Sequence, residues 1–361
     1  MMGAADRQAL FAGTHGPSAR ASFDKERLER YLVEHLPGFS GPIGIAQFRG
    51  GQSNPTYRLD AQSGSFVLRR KPEGTLLRSA HAIEREYEVT KALCEVDFPV
   101  ARPLLLCEDE SVIGTAFYLM EHVEGRIYWE PHAPGLSAHD RKELFSSLNE
   151  TIALLHMVDY KAIGLGGFGK AEGYVGRQVK RWTEQYRLSQ TETIEEMERL
   201  IEWLPQVLPE QSQTALIHGD FRLDNCIIEA RTPRVVAVLD WELSTIGDPI
   251  ADFTYQLMQW HMPADTLGGG VGSLVGHEMD APGLPTMDDY VAQYCERRGI
   301  DGIAHLSIYL AYNFFRLAAI FQGIAGRVRD GTAANPHAGL MGMQVKPMAV
   351  KAWEFAREAG R

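Results

Sequence analysis

Apolar and polar residues alternate in two stretches near the start of the chain, IAQFRG (45–50) and TYRLDAQSGSFVLRRKP (56–72), and a Ser-Gly pair interrupts the second. A period of two predicts strands, and the Ser-Gly turn predicts that the second stretch is a hairpin. Helical periodicity is present before the strands, in residues 22–35, and after them, in SAHAIEREYEVTKALCEV (79–96). VARPLLLCEDES (100–111) and TAFYLMEHVEG (115–125) then predict two more strands.

Strand patterns become rare after Gly125, and helical periodicity dominates from about residue 140 to 208 and again from about residue 289. The sequence therefore predicts an α+β fold. A small strand-rich lobe would span residues 23–122, and a large helical lobe would span residues 123–361. Residues 1–22 are predicted to form a flexible tail. The apolar stretch 302–326 contains His305, Asn313 and Arg316, which favours a buried core helix over a membrane span.

Composition narrows the class of protein. The 361 residues are 45% hydrophobic and 23% charged, with a formal net charge of -11, so a folded chain without broad nucleic-acid binding is expected. The start of the chain lacks the pattern of a secretory signal, and the four cysteines show no zinc-finger spacing. We therefore expect a cytoplasmic protein with no membrane association. The sequence leaves the oligomeric state open.

Candidate chemistry lies in a catalytic loop, LIHGDFRLDNCII (216–228), and a following motif, VAVLDWELSTIGDPIAD (236–252). Phosphoryl transfer to an alcohol requires a carboxylate at the acceptor hydroxyl and oxygen ligands for magnesium. Asp220 is predicted to orient the hydroxyl, and Asn225 and Asp240 to bind Mg2+. Arg222 is predicted to offset charge on the transferring phosphate.

Each of these residues also has a purely structural interpretation, because aspartate and asparagine frequently cap helices or stabilise turns. The combination in this order, between two apolar β-type runs, favours the catalytic interpretation. His218 is expected to hold backbone geometry rather than act as a base. Asp248 is expected to fix a turn with Pro249, and Asp252 to cap a helix or brace the catalytic loop.

HGDFRLDN and LDWELSTIGDPIADF resemble the catalytic and metal-binding motifs of the aminoglycoside phosphotransferase and choline kinase superfamily. FRGGQSNPTYRL, FVLRRKPEG and YLMEHVEGR resemble one branch of it, the kinase-like domain found in some proteins of the acyl-CoA dehydrogenase family. The resemblance covers nearly the whole chain from about residue 25. It implies a bilobal protein-kinase-like fold, with a small antiparallel-sheet N-terminal lobe and a large, mainly helical C-terminal lobe.

The resemblance also implies roles in ATP binding. Arg69 corresponds to the strand cation that contacts the phosphates, and Glu86 to the helix carboxylate that pairs with it. Glu121 and Val123 match the hinge whose backbone binds adenine. The loop that covers the phosphates contains Gln52, Ser53 and Asn54.

The implied function is ATP- and Mg2+-dependent phosphorylation of a small-molecule hydroxyl. A hydroxyacyl-CoA or hydroxy acid is the first candidate acceptor, and an aminoglycoside or choline-type acceptor is the alternative. A catalytically silent nucleotide-binding regulator is an alternative of another class. Gly219 stands where protein kinases have an arginine, and Asp240-Trp241-Glu242 replaces their Asp-Phe-Gly motif. A protein substrate is therefore not expected.

Overall fold

The computed structural model describes residues 8, 11–16, 23–50, 54–72, 83–263, 272–277, 279–333 and 338–360. The chain divides into two compact units. Unit 1 contains Met1–Glu130, Lys161–Leu165 and Leu223–Ser244, and unit 2 contains Pro131–Tyr160, Gly166–Arg222 and Thr245–Arg361. Each unit contains several segments of the chain, because the units are defined by contacts between residues and not by their order in the sequence. The predicted boundaries of the two lobes stay a prediction.

From residue 25 to residue 121 the described strands and helices follow the order that the periodicity predicts. The strands are β1 (Thr14–His15), β2 (Gly44–Phe48), β3 (Thr56–Ala61), β4 (Gly64–Arg70), β5 (Pro103–Cys107), β6 (Phe117–Glu121), β7 (Ala215–Ile217), β8 (Cys226–Ile228), β9 (Val235–Val238) and β10 (Thr245–Gly247). The helices are α1 (Lys25–His35), α2 (Ile83–Cys94), α3 (Ala138–Met157), α4 (Tyr174–Ser189), α5 (Glu195–Val207), α6 (Pro249–Leu257), α7 (Met287–Arg298), α8 (Leu306–Arg329), α9 (Ala338–Gly342) and α10 (Val345–Ala359).

Unit 1 is built on an antiparallel six-stranded sheet with the order β1-β2-β3-β4-β6-β5. The predicted hairpin is β3–β4, in which Ala61 pairs with Gly64 across a short turn. One face of the sheet packs against α1, whose Leu28 and Leu32 are fully buried against a cluster that includes Tyr57 and Phe117. Burial of each such side chain contributes about 1.5–3 kcal/mol, so this cluster fixes which face of the sheet the helix covers.

Within the predicted N-terminal tail, residues 11–16 contain a short strand and an aromatic contact. Thr14 pairs with Phe48 and adds an edge strand to the sheet, and the ring of Phe11 lies 5.0 Å from that of Trp129. The indole of Trp129 also covers Gly50, where an added Cβ would come within 2.6 Å of the Trp129 Cη2 atom. The pattern along residues 11–16 is too short to reveal such a strand, because its partners are distant in sequence.

The β8–β9 hairpin belongs to unit 1 because backbone hydrogen bonds tie it to two segments of that unit. Val238 N donates to Pro99 O at 2.8 Å. Arg126 and Ile228 exchange backbone hydrogen bonds of 2.7 and 2.8 Å. These bonds place both ends of the hairpin beside the chain that follows α2 and the chain that follows β6.

Unit 2 is mainly helical, and α8 lies in its core. α8 is long and apolar enough to cross a membrane by length and composition, but 78% of its most apolar window is buried inside the protein. Its buried Asn313 has a partner inside the unit, since Asn313 Nδ2 donates to the carbonyl oxygen of Ala251 on α6 at 3.0 Å. This agrees with the core helix that the sequence predicts. The short pair β7–β10 completes the unit.

We expect Gly125→Ala to destabilise the protein. The added Cβ would meet the Ile227 side chain and lie 2.6 Å from the Ile228 carbonyl oxygen, so the backbone must shift. The free energy of unfolding should fall by about 1–3 kcal/mol in a urea titration.

Gly167→Ala is the matched control, since among the described residues no atom lies within 4 Å of a Cβ built there. Its stability should change by less than about 0.5 kcal/mol. Equal losses in the two variants would show that the contact at Gly125 is not the cause.

Candidate functional site

In unit 1 the guanidinium of Arg69, on β4, is buried and surrounded by carboxylates. Its Nε atom lies 2.9 Å from Glu86 Oε2, and its Nη2 atom lies 2.5 Å from Asp240 Oδ1. Burial disfavours the charged guanidinium, but Glu86 and Asp240 outweigh this effect and raise the pKa of Arg69. The cation is therefore permanent, as a phosphate-binding group requires.

Glu86, on α2, is held in place by two further donors. Asn54 Nδ2 donates to its Oε1 atom at 2.9 Å, and the Tyr118 hydroxyl donates to its Oε2 atom at 3.2 Å. The buried Asn54 side chain thus braces Glu86, while its predicted contact with a phosphate stays a prediction. Gln52 and Ser53, from the same predicted loop, lie outside the described residues.

Asp240 follows β9 and has a left-handed backbone, with φ 65° and ψ 58°. Such a conformation is uncommon for aspartate and is found at functional sites more often than elsewhere. The next residue, Trp241, is buried and anchors the turn, because its Nε1 atom donates to Val238 O at 3.0 Å. Glu242 also lies near Arg69, at 3.9 Å from Nη2.

Asn225 and Asp240 lie at the same end of the β8–β9 hairpin. Cys226 pairs with Val238, and Leu239 N donates to the Asn225 carbonyl oxygen at 2.8 Å. The two residues offer carboxylate and amide oxygens, the ligand types that Mg2+ prefers. The described residues contain no group of three or more His, Cys, Asp or Glu side chains arranged for a metal. Two oxygen ligands of this kind suit a magnesium ion that takes its other ligands from phosphates and water.

The predicted hinge residues lie at the end of the sheet in unit 1. Glu121 is the last residue of β6, and its exposed carboxylate lies 2.7 Å from Arg102 Nη2. Val123 is partly buried against a cluster that includes Val67, Tyr118 and Met120. The predicted contact of their backbone with adenine stays a prediction.

In unit 2, Asp220 follows β7 and its carboxylate has two side-chain neighbours. Arg222 Nε lies 3.3 Å from Asp220 Oδ1. The buried Tyr255, on α6, is the other: burial, and after it the nearby charge of Asp220, raises the pKa of its hydroxyl. The Asp220 side chain is 18% exposed, so it is accessible to a small molecule while remaining fixed by its neighbours.

The backbone just before Asp220 is held by buried Asp252. Its two carboxylate oxygens accept from His218 N at 2.8 Å and from Gly219 N at 2.7 Å. His156 Nε2 lies 3.1 Å from the same carboxylate. Burial would raise the pKa of Asp252, but His156 and the loop amides outweigh burial and lower it.

His218 has the structural role that the sequence predicts. It is fully buried, and its Nδ1 atom accepts a hydrogen bond from Asp220 N at 3.2 Å. Asp248 caps α6, where its carboxylate accepts from Ile250 N at 2.8 Å and from Ala251 N at 3.3 Å.

The structure thus brings Arg69, Glu86, Asn54 and Asp240 together in unit 1, and Asp220 and Arg222 together in unit 2. Sequence reasoning did not assign Glu242, Tyr118 or His156. Glu242 could have been suspected from its position two residues after Asp240. The other two act through hydrogen bonds to residues far away in sequence, which no local pattern indicates.

Comparison with known families and relatives identifies the group to which these features belong. The profile of the phosphotransferase enzyme family, designated APH, matches residues 44–297. Acyl-CoA dehydrogenase family member 10 of Mus musculus is 45% identical over 339 residues, which cover 93% of this chain and 31% of the mouse protein. The chain spans less than half the length of the curated relatives it matches.

Solved structures confirm the fold. A provisionally named aminoglycoside phosphotransferase of Ralstonia eutropha is 45% identical, with a TM-score of 0.84 over 93% of this chain and 99% of that chain. A spectinomycin phosphotransferase, solved with ADP and spectinomycin, is 12% identical, with a TM-score of 0.59 over 92% of this chain and 98% of that one. The predicted α+β kinase-like fold and the predicted superfamily are both confirmed.

We expect Asp252→Asn to destabilise the protein. In the variant an NH2 group replaces one of the two carboxylate oxygens. The three donors that surround the side chain then share a single oxygen acceptor, so at least one buried donor has no acceptor. The free energy of unfolding at pH 7.5 should fall by about 2–5 kcal/mol in a urea titration. Asp330→Asn, at an exposed position, is the control and should change it by less than about 0.5 kcal/mol.

The same network predicts how wild-type stability depends on pH. The pKa of His156 is lowered by burial, and that of Asp252 is also lowered, so the unfolded state binds more protons than the folded state in acid. The contribution of this pair to stability should therefore be greatest near neutral pH, fall as the pH drops below about 6.5, and fall further below about 3.9. Stability that rises as the pH falls from 7.5 to 5 would contradict these directions.

Proposed function

Because this chain belongs to the phosphotransferase enzyme family, we propose that it transfers the terminal phosphoryl group of ATP to a hydroxyl group of a small molecule. The observation that carries the proposal is the buried Arg69 guanidinium held between Glu86 and Asp240. A buried cation next to a potential magnesium ligand is the arrangement that binding of a nucleotide triphosphate requires. Family membership and the ADP bound to the spectinomycin phosphotransferase support ATP as the donor.

Asn225 and Asp240 would hold Mg2+, which would neutralise charge on the phosphates. Binding of the ion requires Asp240 to share its carboxylate between Arg69 and the metal. The distance of 2.5 Å between Asp240 Oδ1 and Arg69 Nη2 involves only one of the two carboxylate oxygens. Glu86 remains paired with Arg69 and would keep the guanidinium directed toward the phosphates.

Asp220 would orient the acceptor hydroxyl and accept its proton. The hydroxyl oxygen forms a bond to the γ-phosphorus, the bond from that phosphorus to the bridging oxygen breaks, and ADP leaves. The proton moves to Asp220 late, since the transition state is loose and needs little basic assistance. Arg222, 3.3 Å from Asp220, would offset negative charge on the transferred group.

For the acceptor we propose a hydroxyacyl-CoA or a hydroxy acid. The name of the mouse relative, an acyl-CoA dehydrogenase family member, supports an acyl substrate. We also propose a cytoplasmic location, which the four free cysteines support.

We expect Asp220→Asn to lower turnover by about 100-fold or more, since the asparagine cannot accept the proton, while Mg-ATP binding persists. The assay would offer Mg-ATP with hydroxy acids, hydroxyacyl-CoAs, choline and aminoglycosides, and detect phosphorylated products by mass spectrometry. A phosphorylated choline or aminoglycoside as the main product would overturn the acceptor assignment. Nucleotide binding without any product would instead favour the silent regulator.

We expect Asp240→Ala to lose Mg2+-dependent nucleotide binding as well as turnover, because one of two metal-ligand candidates is removed. Isothermal titration of ATP, with and without Mg2+, measures this directly. Asp109→Ala, at an exposed position in the same unit, is the control and should bind normally. If Asp240→Ala binds Mg-ATP as tightly as the wild type, the assignment of Asp240 to the metal is wrong.

A further inference from the structure

We infer that Tyr294 and His156 are positioning residues for the catalytic loop, which they hold in place through Asp252. Because both act on the loop that carries Asp220, this role rests on the proposed function. It gives a part in the reaction to two buried side chains, on α7 and α3, that are not expected to contact ATP or the acceptor.

The first observation is a continuous chain of buried hydrogen bonds within unit 2. The Tyr294 hydroxyl lies 2.7 Å from His156 Nδ1, and His156 Nε2 lies 3.1 Å from Asp252 Oδ2. The Asp252 carboxylate accepts from the backbone amides of His218 and Gly219, at 2.8 and 2.7 Å. Helices α7, α3 and α6 are thus connected, in that order, to the start of the catalytic loop.

The second observation is the direction of these hydrogen bonds. Burial would raise the pKa of Asp252, but His156 and the loop amides lower it, so the carboxylate is ionised at neutral pH and can only accept. The imidazole proton is therefore on Nε2. Burial lowers the pKa of His156 and raises that of Tyr294, so the neutral ring accepts at Nδ1 from the protonated hydroxyl.

The third observation is that packing restrains the Tyr294 ring. Phe253, the neighbour of Asp252 on α6, stacks on this ring with centroids 3.7 Å apart and planes 8° apart. The guanidinium carbon of Arg298 lies 5.8 Å from the centre of the same ring. Arg298 also disfavours a positive charge on His156. The hydroxyl is therefore held where it donates to a neutral imidazole.

The consequence for the reaction is geometric. The two amides that Asp252 holds directly precede Asp220, so a shift of these amides moves the carboxylate proposed to meet the acceptor. A displacement of about 1 Å at a reacting group can lower the rate about 100-fold. Without the Tyr294 hydroxyl, His156 Nδ1 is buried with no donor, and the ring is held less firmly against Asp252.

The experiment compares Tyr294→Phe with Tyr290→Phe as its matched control. Both tyrosines are on α7, both are fully buried, and both rings stack on Phe253. The Tyr290 hydroxyl, however, donates to Gln256 Oε1 at 3.0 Å. Each variant removes one buried hydroxyl and retains its ring, so the comparison isolates the connection to His156.

Two measurements are made on the full chain. Hydrogen exchange read by mass spectrometry reports local opening of residues 216–222, with peptides from α8 as the reference for global unfolding. Steady-state release of ADP from Mg-ATP, with water and with the acceptors named above, gives kcat and the KM for Mg-ATP.

In Tyr294→Phe we expect exchange in residues 216–222 to be about tenfold faster than in the wild type, and kcat to be about tenfold lower. The KM for Mg-ATP should not change, since the candidate ligands of the nucleotide lie in unit 1. Tyr290→Phe should match the wild type in exchange, kcat and KM.

Two substitutions of His156 provide a second test. His156→Gln retains an amide donor for Asp252 and an oxygen acceptor for Tyr294, whereas His156→Leu retains neither. We expect kcat to fall about 100-fold in His156→Leu, and to be about tenfold higher in His156→Gln than in His156→Leu. Equal losses in the two variants would show that His156 acts by filling space. If His156→Leu does not fold, the comparison of the two tyrosines decides.

Unchanged exchange in residues 216–222 of Tyr294→Phe, or an unchanged kcat, with Asp220→Asn inactive, would overturn this inference and leave the proposed function intact. An equal loss in Tyr290→Phe would overturn it too, because the loss would then follow from removing any buried hydroxyl of α7. Wild-type turnover in Asp220→Asn, or no ADP release by the wild type with any acceptor, would overturn the proposed function and this inference with it.

Discussion

The burial of one positively charged side chain, Arg69, constrains where the carboxylates around it can lie in unit 1. A guanidinium removed from water is tolerated only with carboxylate partners, and Arg69 has two at hydrogen-bonding distance. Glu86 must therefore lie on the face of α2 that meets the sheet, where Asn54 and Tyr118 donate to it. Asp240 adopts a strained left-handed backbone at the same place. The neutralisation of one buried guanidinium thus accounts for the positions of Glu86 and Asp240.

The candidate residues that the sequence alone predicts are those whose chemistry is local along the chain. Asp220, Asn225 and Asp240 fall within one short stretch, between apolar runs that form strands, so their order alone indicated phosphoryl transfer. The strands and helices were predictable for the same reason, since each carries its own periodicity. The pairing of Arg69 with Glu86 was different. It came only through family resemblance, because a strand cation and a helix carboxylate are common in any protein.

What the sequence did not reveal depends on contacts between distant residues. Asp252 receives backbone hydrogen bonds from a loop more than thirty residues away, and His156 joins it from a different helix. Asp252 was considered for this role only as one of two options. β1 consists of two residues, Thr14 and His15, and exists because β2 offers an unpaired edge. The pattern of residues within one segment does not indicate which distant residues that segment will contact.

The contact between Gly50 and Trp129 has a consequence for how this chain can vary. The indole occupies the space that any side chain at position 50 would need. A side chain at position 50 therefore requires the indole to move or a smaller residue to stand at position 129. Across natural homologues the two positions should covary, with a side chain at position 50 found only beside a residue smaller than tryptophan at position 129. The range of residues accepted at position 50 thus depends on a residue almost eighty positions further along the chain.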